Sequence, residues 1–118
     1  MTEAEGSQRA VRVAIVDDDP FVVQALRSYL SSSPQIEVLS TFTSARDLLA
    51  FLKRIPVDVL VSDVRMPGMD GLELLARVQE QHPRTAVVML TSFDDDSAML
   101  TALSQQANGF LLKDSSPE

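Results

Sequence analysis

The chain has 118 residues, no cysteine and a net charge of −7, with 45% hydrophobic and 23% charged residues. This bounds it to one domain with a single core, and it excludes disulfides, thiolate chemistry and cysteine-ligated zinc. The acidic balance repels phosphate backbones, so this segment alone is not expected to bind DNA. No apolar run approaches the ~20 residues of a membrane helix, and no secretory pattern opens the chain, so a cytoplasmic location is expected.

Met1 to Ala10 are polar and unpatterned and read as a flexible tail, leaving 11–118 as the folded domain. Val11 to Val16 is a β-branched run. From Phe21 to Leu30 the apolar positions Val22, Ala25, Leu26, Tyr29 and Leu30 fit one helical face. Asp19 before Pro20 suits an N-cap followed by proline at the first helical position. Ile36 to Phe42 is a second strand, and Ser44 to Lys53 a helix whose Ser44 and Asp47 have capping-box spacing. Val57 to Ser62 is a third strand. A loop from Asp63 to Met69 follows, and Asp70 with Glu73 opens a helix reaching about His82, stopped by Pro83. Ala86 to Leu90 is a fourth strand. Asp94 to Asp96 sit at the start of a further helix running to about Gln105, and Gly109 to Leu112 is a fifth strand.

Strands alternating with helices predict an α/β fold, a doubly wound parallel sheet with helices on both faces. Ligands in such sheets bind beyond the carboxyl ends of the strands, where strand order reverses. Asp17 and Asp18 follow the first strand and Asp63 the third. Thr91 ends the fourth, and Lys113 ends the fifth. The order 2-1-3-4-5 makes strands one and three neighbours and brings these groups to one point. Three close carboxylates repel, and one would take a proton unless a hard cation joined them. Few protein ligands with retained waters suit Mg²⁺. A carboxylate so placed can attack phosphorus, while a lysine and a hydroxyl steady the phosphoryl oxygens. Asp63, Thr91 and Lys113 are the right types for those three roles.

Four motifs in order carry a family resemblance. They are Val16-Asp17-Asp18, the stretch Asp63-Val64-Arg65-Met66-Pro67-Gly68-Met69-Asp70-Gly71, Leu90-Thr91-Ser92, and Gly109-Phe110-Leu111-Leu112-Lys113. The chain resembles the receiver domains of two-component response regulators, of the NarL/FixJ (LuxR-type) subfamily, from Val11 to Asp114. The resemblance implies a flavodoxin-like, CheY-like sheet and a phosphoacceptor switch rather than an enzyme with its own turnover. It makes Asp63 the phosphoacceptor. It makes Asp18 a direct Mg²⁺ ligand, Asp17 a looser one, and the backbone carbonyl of Arg65 another. Thr91 would move to the phosphoryl oxygen, Phe110 would change rotamer with it, and Lys113 would pair with the phosphoryl group. The donor would be a phosphohistidine on a sensor histidine kinase.

In that family a fifth helix follows the lysine loop, and in the subfamily a helix-turn-helix domain follows in turn. Neither is expected within these 118 residues. Loss of the helix cover would favour a homodimer or a swapped oligomer, and DNA would be reached only through the missing domain. Two other readings compete. A Mg²⁺-dependent aspartyl-phosphate phosphatase of the haloacid-dehalogenase type would want an acid where Arg65 stands. A receiver-like module that only binds partners would not need the five site residues present here. Asp19 and Asp94 to Asp96 read as helix caps, not ligands.

Overall fold

A computed structural model describes residues 9–91 and 108–112 of the chain, by backbone alone at Thr91 and 110–112. The tail over 1–8, the helix expected over 96–105 with its Asp94 to Asp96 start, and Lys113 lie outside the described residues. The elements run β1 (Val11–Val16), α1 (Pro20–Ser31), β2 (Ile36–Phe42), α2 (Ala45–Leu52), β3 (Val59–Asp63), α3 (Gly71–Gln81), β4 (Ala86–Thr91) and β5 (Gly109–Leu112).

All strand pairs are parallel, and the sheet order is β2-β1-β3-β4-β5. The expected doubly wound topology is therefore the one found, with β1 and β3 side by side at the centre. Alternation along each strand feeds two apolar layers. Ala14, Val16, Leu60, Val87 and Met89 face α2 and α3, where Leu48, Leu52, Leu74, Leu75 and Val78 are buried against them. Val13, Ile15, Val61 and Leu90 face α1 and enclose its Val23. Strands covered on both faces read as nearly continuous apolar runs, and for that reason their alternation is faint in the sequence.

Each described helix begins on a side-chain cap. Asp19 Oδ accepts the Phe21 N–H at 2.9 Å, Ser44 Oγ accepts the Asp47 N–H at 3.4 Å, and Asp70 Oδ accepts the Glu73 N–H at 3.0 Å. The capping box at Asp70 is only half built, because the Glu73 carboxylate turns to Arg77 at 3.2 Å.

Two expectations shift. The third strand starts at Val59, not Val57, because the chain bends at Asp58. Its backbone N–H reaches the Arg12 carbonyl at 2.9 Å and its carboxylate accepts the Arg12 N–H at 2.9 Å, which uses Asp58 as a clasp. On α1, Ala25 is exposed and Tyr29 is 75% exposed; the stripe that packs inward is Val22, Val23, Leu26 and Leu30.

The β1–β2 ladder contains a bulge. Val13 pairs with Val38 but Ala14 with Ser40, so Leu39 is an extra residue. A strict two-residue period would send Leu39 and Phe42, three apart, to opposite faces. The bulge reverses the phase between them, and both pack into the α2–α3 layer. Phe42 there meets Phe51 of α2 at a centroid distance of 5.2 Å and a tilt of 55°.

Candidate metal and phosphoacceptor site

The carboxyl ends of β1 and β3 are fixed to one level by their register. Val16 pairs with Ser62, so Asp17 and Asp63, the next residues of each strand, come level at the crevice. Asp17 continues the outer ladder, its N–H donating to the Phe42 carbonyl at 3.1 Å. Beyond Asp63, the Val64 N–H donates to the Leu90 carbonyl at 3.0 Å, which holds the exit of β3 against β4.

Carboxylate oxygens of Asp17, Asp18 and Asp63 lie within 4.8 Å of one another. Asp17 is fully buried and Asp63 is 3% exposed, whereas Asp18 is exposed. The Asp17 carboxylate also accepts the Asp19 N–H at 2.9 Å, which orients it and turns the chain into α1. Two buried carboxylates and one exposed one, all oxygen donors, form a set that a hard divalent cation fits in type and in charge. Asp19 is not among them; it caps α1, as its position before Pro20 implied.

The loop after Asp63 is built to keep that carboxylate in place. Val64 and Met66 are buried in the α2–α3 layer, while Arg65 between them is exposed, so the loop alternates inward and outward like a strand. Gly68 turns the chain with a φ of +78°, a conformation costly to other residues. Gly71 then brings the start of α3 back under Asp63, its N–H donating to the Val64 carbonyl at 2.8 Å. A Cβ built on Gly71 would collide with the Asp63 carbonyl oxygen and stand 2.8 Å from the carbonyl carbon. The sequence placed Gly71 inside a motif but gave it no task. Its visible signal was a glycine directly after a helix cap, where a good helix former is otherwise preferred.

The remaining expected residues are located by their backbones. Thr91 is the last residue of β4, one beyond Leu90, the partner of Asp63. Phe110 lies in β5 opposite Met89, and Leu112 pairs with Thr91; Lys113, the next expected residue, lies outside the described residues. Arg65 stands two residues past Asp63, beside a shallow cavity of about 340 Å³ lined with Met66, Pro67 and Asp70.

The family model for the response regulator receiver domain matches residues 13–118. Among similar proteins are the response regulator protein VraR of Staphylococcus epidermidis, 34% identical over 91% of this chain and 51% of that protein, and the nitrate/nitrite response regulator protein NarL of Escherichia coli, 28% identical over 95% of this chain and 52% of that protein. Among solved structures, the signal receiver domain of the response regulator NarL from Mycobacterium tuberculosis superposes with a TM-score of 0.84 at 35% identity, covering 92% of this chain and 87% of that one. The isolated receiver domain of RcsB from Salmonella enterica serovar Typhimurium, solved with the phosphomimetic BeF3⁻, gives 0.85 at 26% identity over 92% and 81% of the two chains. The chain spans about half the length of the curated relatives it matches.

Proposed function

The chain belongs to the response regulator receiver domain family, on its NarL/LuxR-type branch, and from that membership we propose that it is a phosphoacceptor switch that takes a phosphoryl group on Asp63. The observation that carries this reading is the meeting of the Asp17, Asp18 and Asp63 carboxylates within 4.8 Å at the sheet's central crevice.

Asp17 and Asp18, with Asp63 itself and the Arg65 carbonyl, are the groups that would hold Mg²⁺. Bound there, the ion supplies charge neutralisation for incoming phosphoryl oxygens and for the carboxylates. The chain's own residues do the rest. Asp63 attacks through one carboxylate oxygen: an O–P bond forms on Asp63 as the P–N bond to the donor's phosphohistidine breaks, and the electron pair leaves with the imidazole nitrogen. Burial of Asp63 excludes bulk water and keeps the nucleophile in one orientation. The Thr91 hydroxyl donates to one phosphoryl oxygen and the Lys113 ammonium pairs with another. Phe110, in the neighbouring strand, is the side chain whose rotamer reports the move of Thr91.

The donor is a sensor histidine kinase, and the output is a DNA-binding domain beyond this segment, as in the RcsB structure solved bound to promoter rprA. A homodimer or a swapped oligomer belongs to the same reading. A cytoplasmic setting fits it, and no described helix is long and apolar enough to cross a membrane.

The test is phosphorylation by acetyl phosphate with Mg²⁺, followed by intact mass. Wild type gains one phosphoryl group, and Asp63→Asn gains none. Equal modification of both proteins would assign the acceptor elsewhere, and rapid release of free phosphate from small phosphate esters would move the protein to the phosphatase class.

A further inference from the structure

At the opposite pole, below the amino ends of β3 and β4, a cavity of about 420 Å³ opens between the last turns of α2 and α3. Its floor is apolar, from Leu52, Ile55 and Val57, and its rim carries Lys53, Arg54 and Arg84. Among the described residues no acidic one lines it. The chain has 10 Lys and Arg against 17 Asp and Glu, so three cations around one acid-free cavity run against the overall charge.

These cations have no ion pair or side-chain hydrogen bond among the described residues, and all three are exposed. They are not engaged in capping the helices above them either. The Leu49 and Phe51 carbonyls already accept the backbone N–H groups of Lys53, Arg54 and Ile55 at 3.0–3.3 Å. The Val78 carbonyl takes the His82 N–H at 2.7 Å, and the His82 carbonyl takes that of Thr85 at 3.0 Å. His82 lines the same cavity, and its Nε2 is buried without a hydrogen-bond partner among the described residues.

We propose that this basal cavity binds a small organic oxyanion, its phosphate or carboxylate head held by Arg54, Arg84 and Lys53 and its apolar body resting on Leu52, Ile55 and Val57. The volume suits a small molecule with an apolar body. Guanidinium groups are the residues of choice for planar, bidentate oxyanion recognition. The site shares no residue with the Asp63 centre, so its failure would leave the phosphoacceptor reading untouched.

Titration of the isotope-labelled, unphosphorylated chain without Mg²⁺, followed by amide NMR, tests this with three probes: phenyl phosphate, benzoate and benzyltrimethylammonium. Saturable shifts at the amides of Arg54, Ile55, Arg84 and Thr85 are expected with the anions and none there with the cation. The tighter of the two anions identifies the head group. The double variant Arg54→Gln, Arg84→Gln, both exposed positions, keeps the wild-type unfolding midpoint and binds roughly tenfold or more weakly, the loss expected for removed charge-assisted contacts. Lys53→Gln alone gives a smaller loss. Absence of saturable shifts at those amides, equal shifts with the cation, or unchanged affinity in the double variant would each overturn the proposal and leave the charges as a solvated rim.

Discussion

Two glycines in the loop after Asp63 do unlike work, and substitution separates them. Gly68 is needed for its backbone angle, with nothing within 4 Å of where a Cβ would stand. Gly68→Ala should therefore cost about 1–2 kcal/mol, the penalty of the left-handed region. Gly71 is needed for space, because a side chain there meets backbone, which cannot swing aside as a flexible side chain could. Gly71→Ala should cost about 3 kcal/mol, at the upper end for overpacking, and should slow acetyl phosphate labelling by displacing Asp63. Urea unfolding of both variants checks the order. A Gly71→Ala protein as stable as Gly68→Ala would mean that the start of α3 relaxes without effort.

At the scale of single elements, the helix starts are the most legible part of the sequence. Asp19, Ser44 and Asp70 were readable as caps from spacing alone, and each accepts the backbone N–H that a cap must satisfy. Asp19 offers a sharp test, since it adjoins the acidic pair yet serves α1. Asp19→Ala should lower stability by about 1 kcal/mol while weakening Mg²⁺ binding by no more than a few fold, the effect of one exposed charge. A calorimetric Mg²⁺ titration beside urea unfolding decides it; collapse of Mg²⁺ affinity would make Asp19 a ligand. The strands were legible as apolar runs, and β2 and β5 have the limits expected of them. Where reading failed, a tertiary contact had overruled the local signal. The start of β3 moved because Asp58 bends to clasp Arg12. Tyr29 reads as apolar yet stays in solvent, because the width of the buried stripe on α1 is set by the sheet beneath it. The three site carboxylates could be gathered from strand order, but not ranked. Nothing in a run of three aspartates says that Asp17 is sealed while Asp18 faces water, since that difference comes from the Phe42 and Asp19 hydrogen bonds.

Among the described residues of the whole molecule, three carboxylates meet at the sheet's carboxyl pole and three cations ring a cavity at its amino pole. Filling the first pole must stabilise the entire fold, because the unfolded chain cannot assemble three strand-end carboxylates. At a free Mg²⁺ concentration 100 times the dissociation constant the gain is about 2.7 kcal/mol, or roughly 10 °C in unfolding midpoint for a domain of this size. Asp17→Asn should abolish that response. The amide oxygen of the variant can still accept the Asp19 N–H, so the turn into α1 is kept. A Mg²⁺-dependent midpoint surviving in the variant would remove Asp17 from the ligand set. The extra residue in β2 has its own consequence at this scale. That strand is one of the two margins of the sheet, with β1 on one flank only. A seamless margin there would offer passing chains a straight rail of unused amides and carbonyls. By kinking that rail at Leu39, the same irregularity that seats Phe42 in the interior also spoils the template, guarding a crowded solution of identical molecules against zipping together strand by strand.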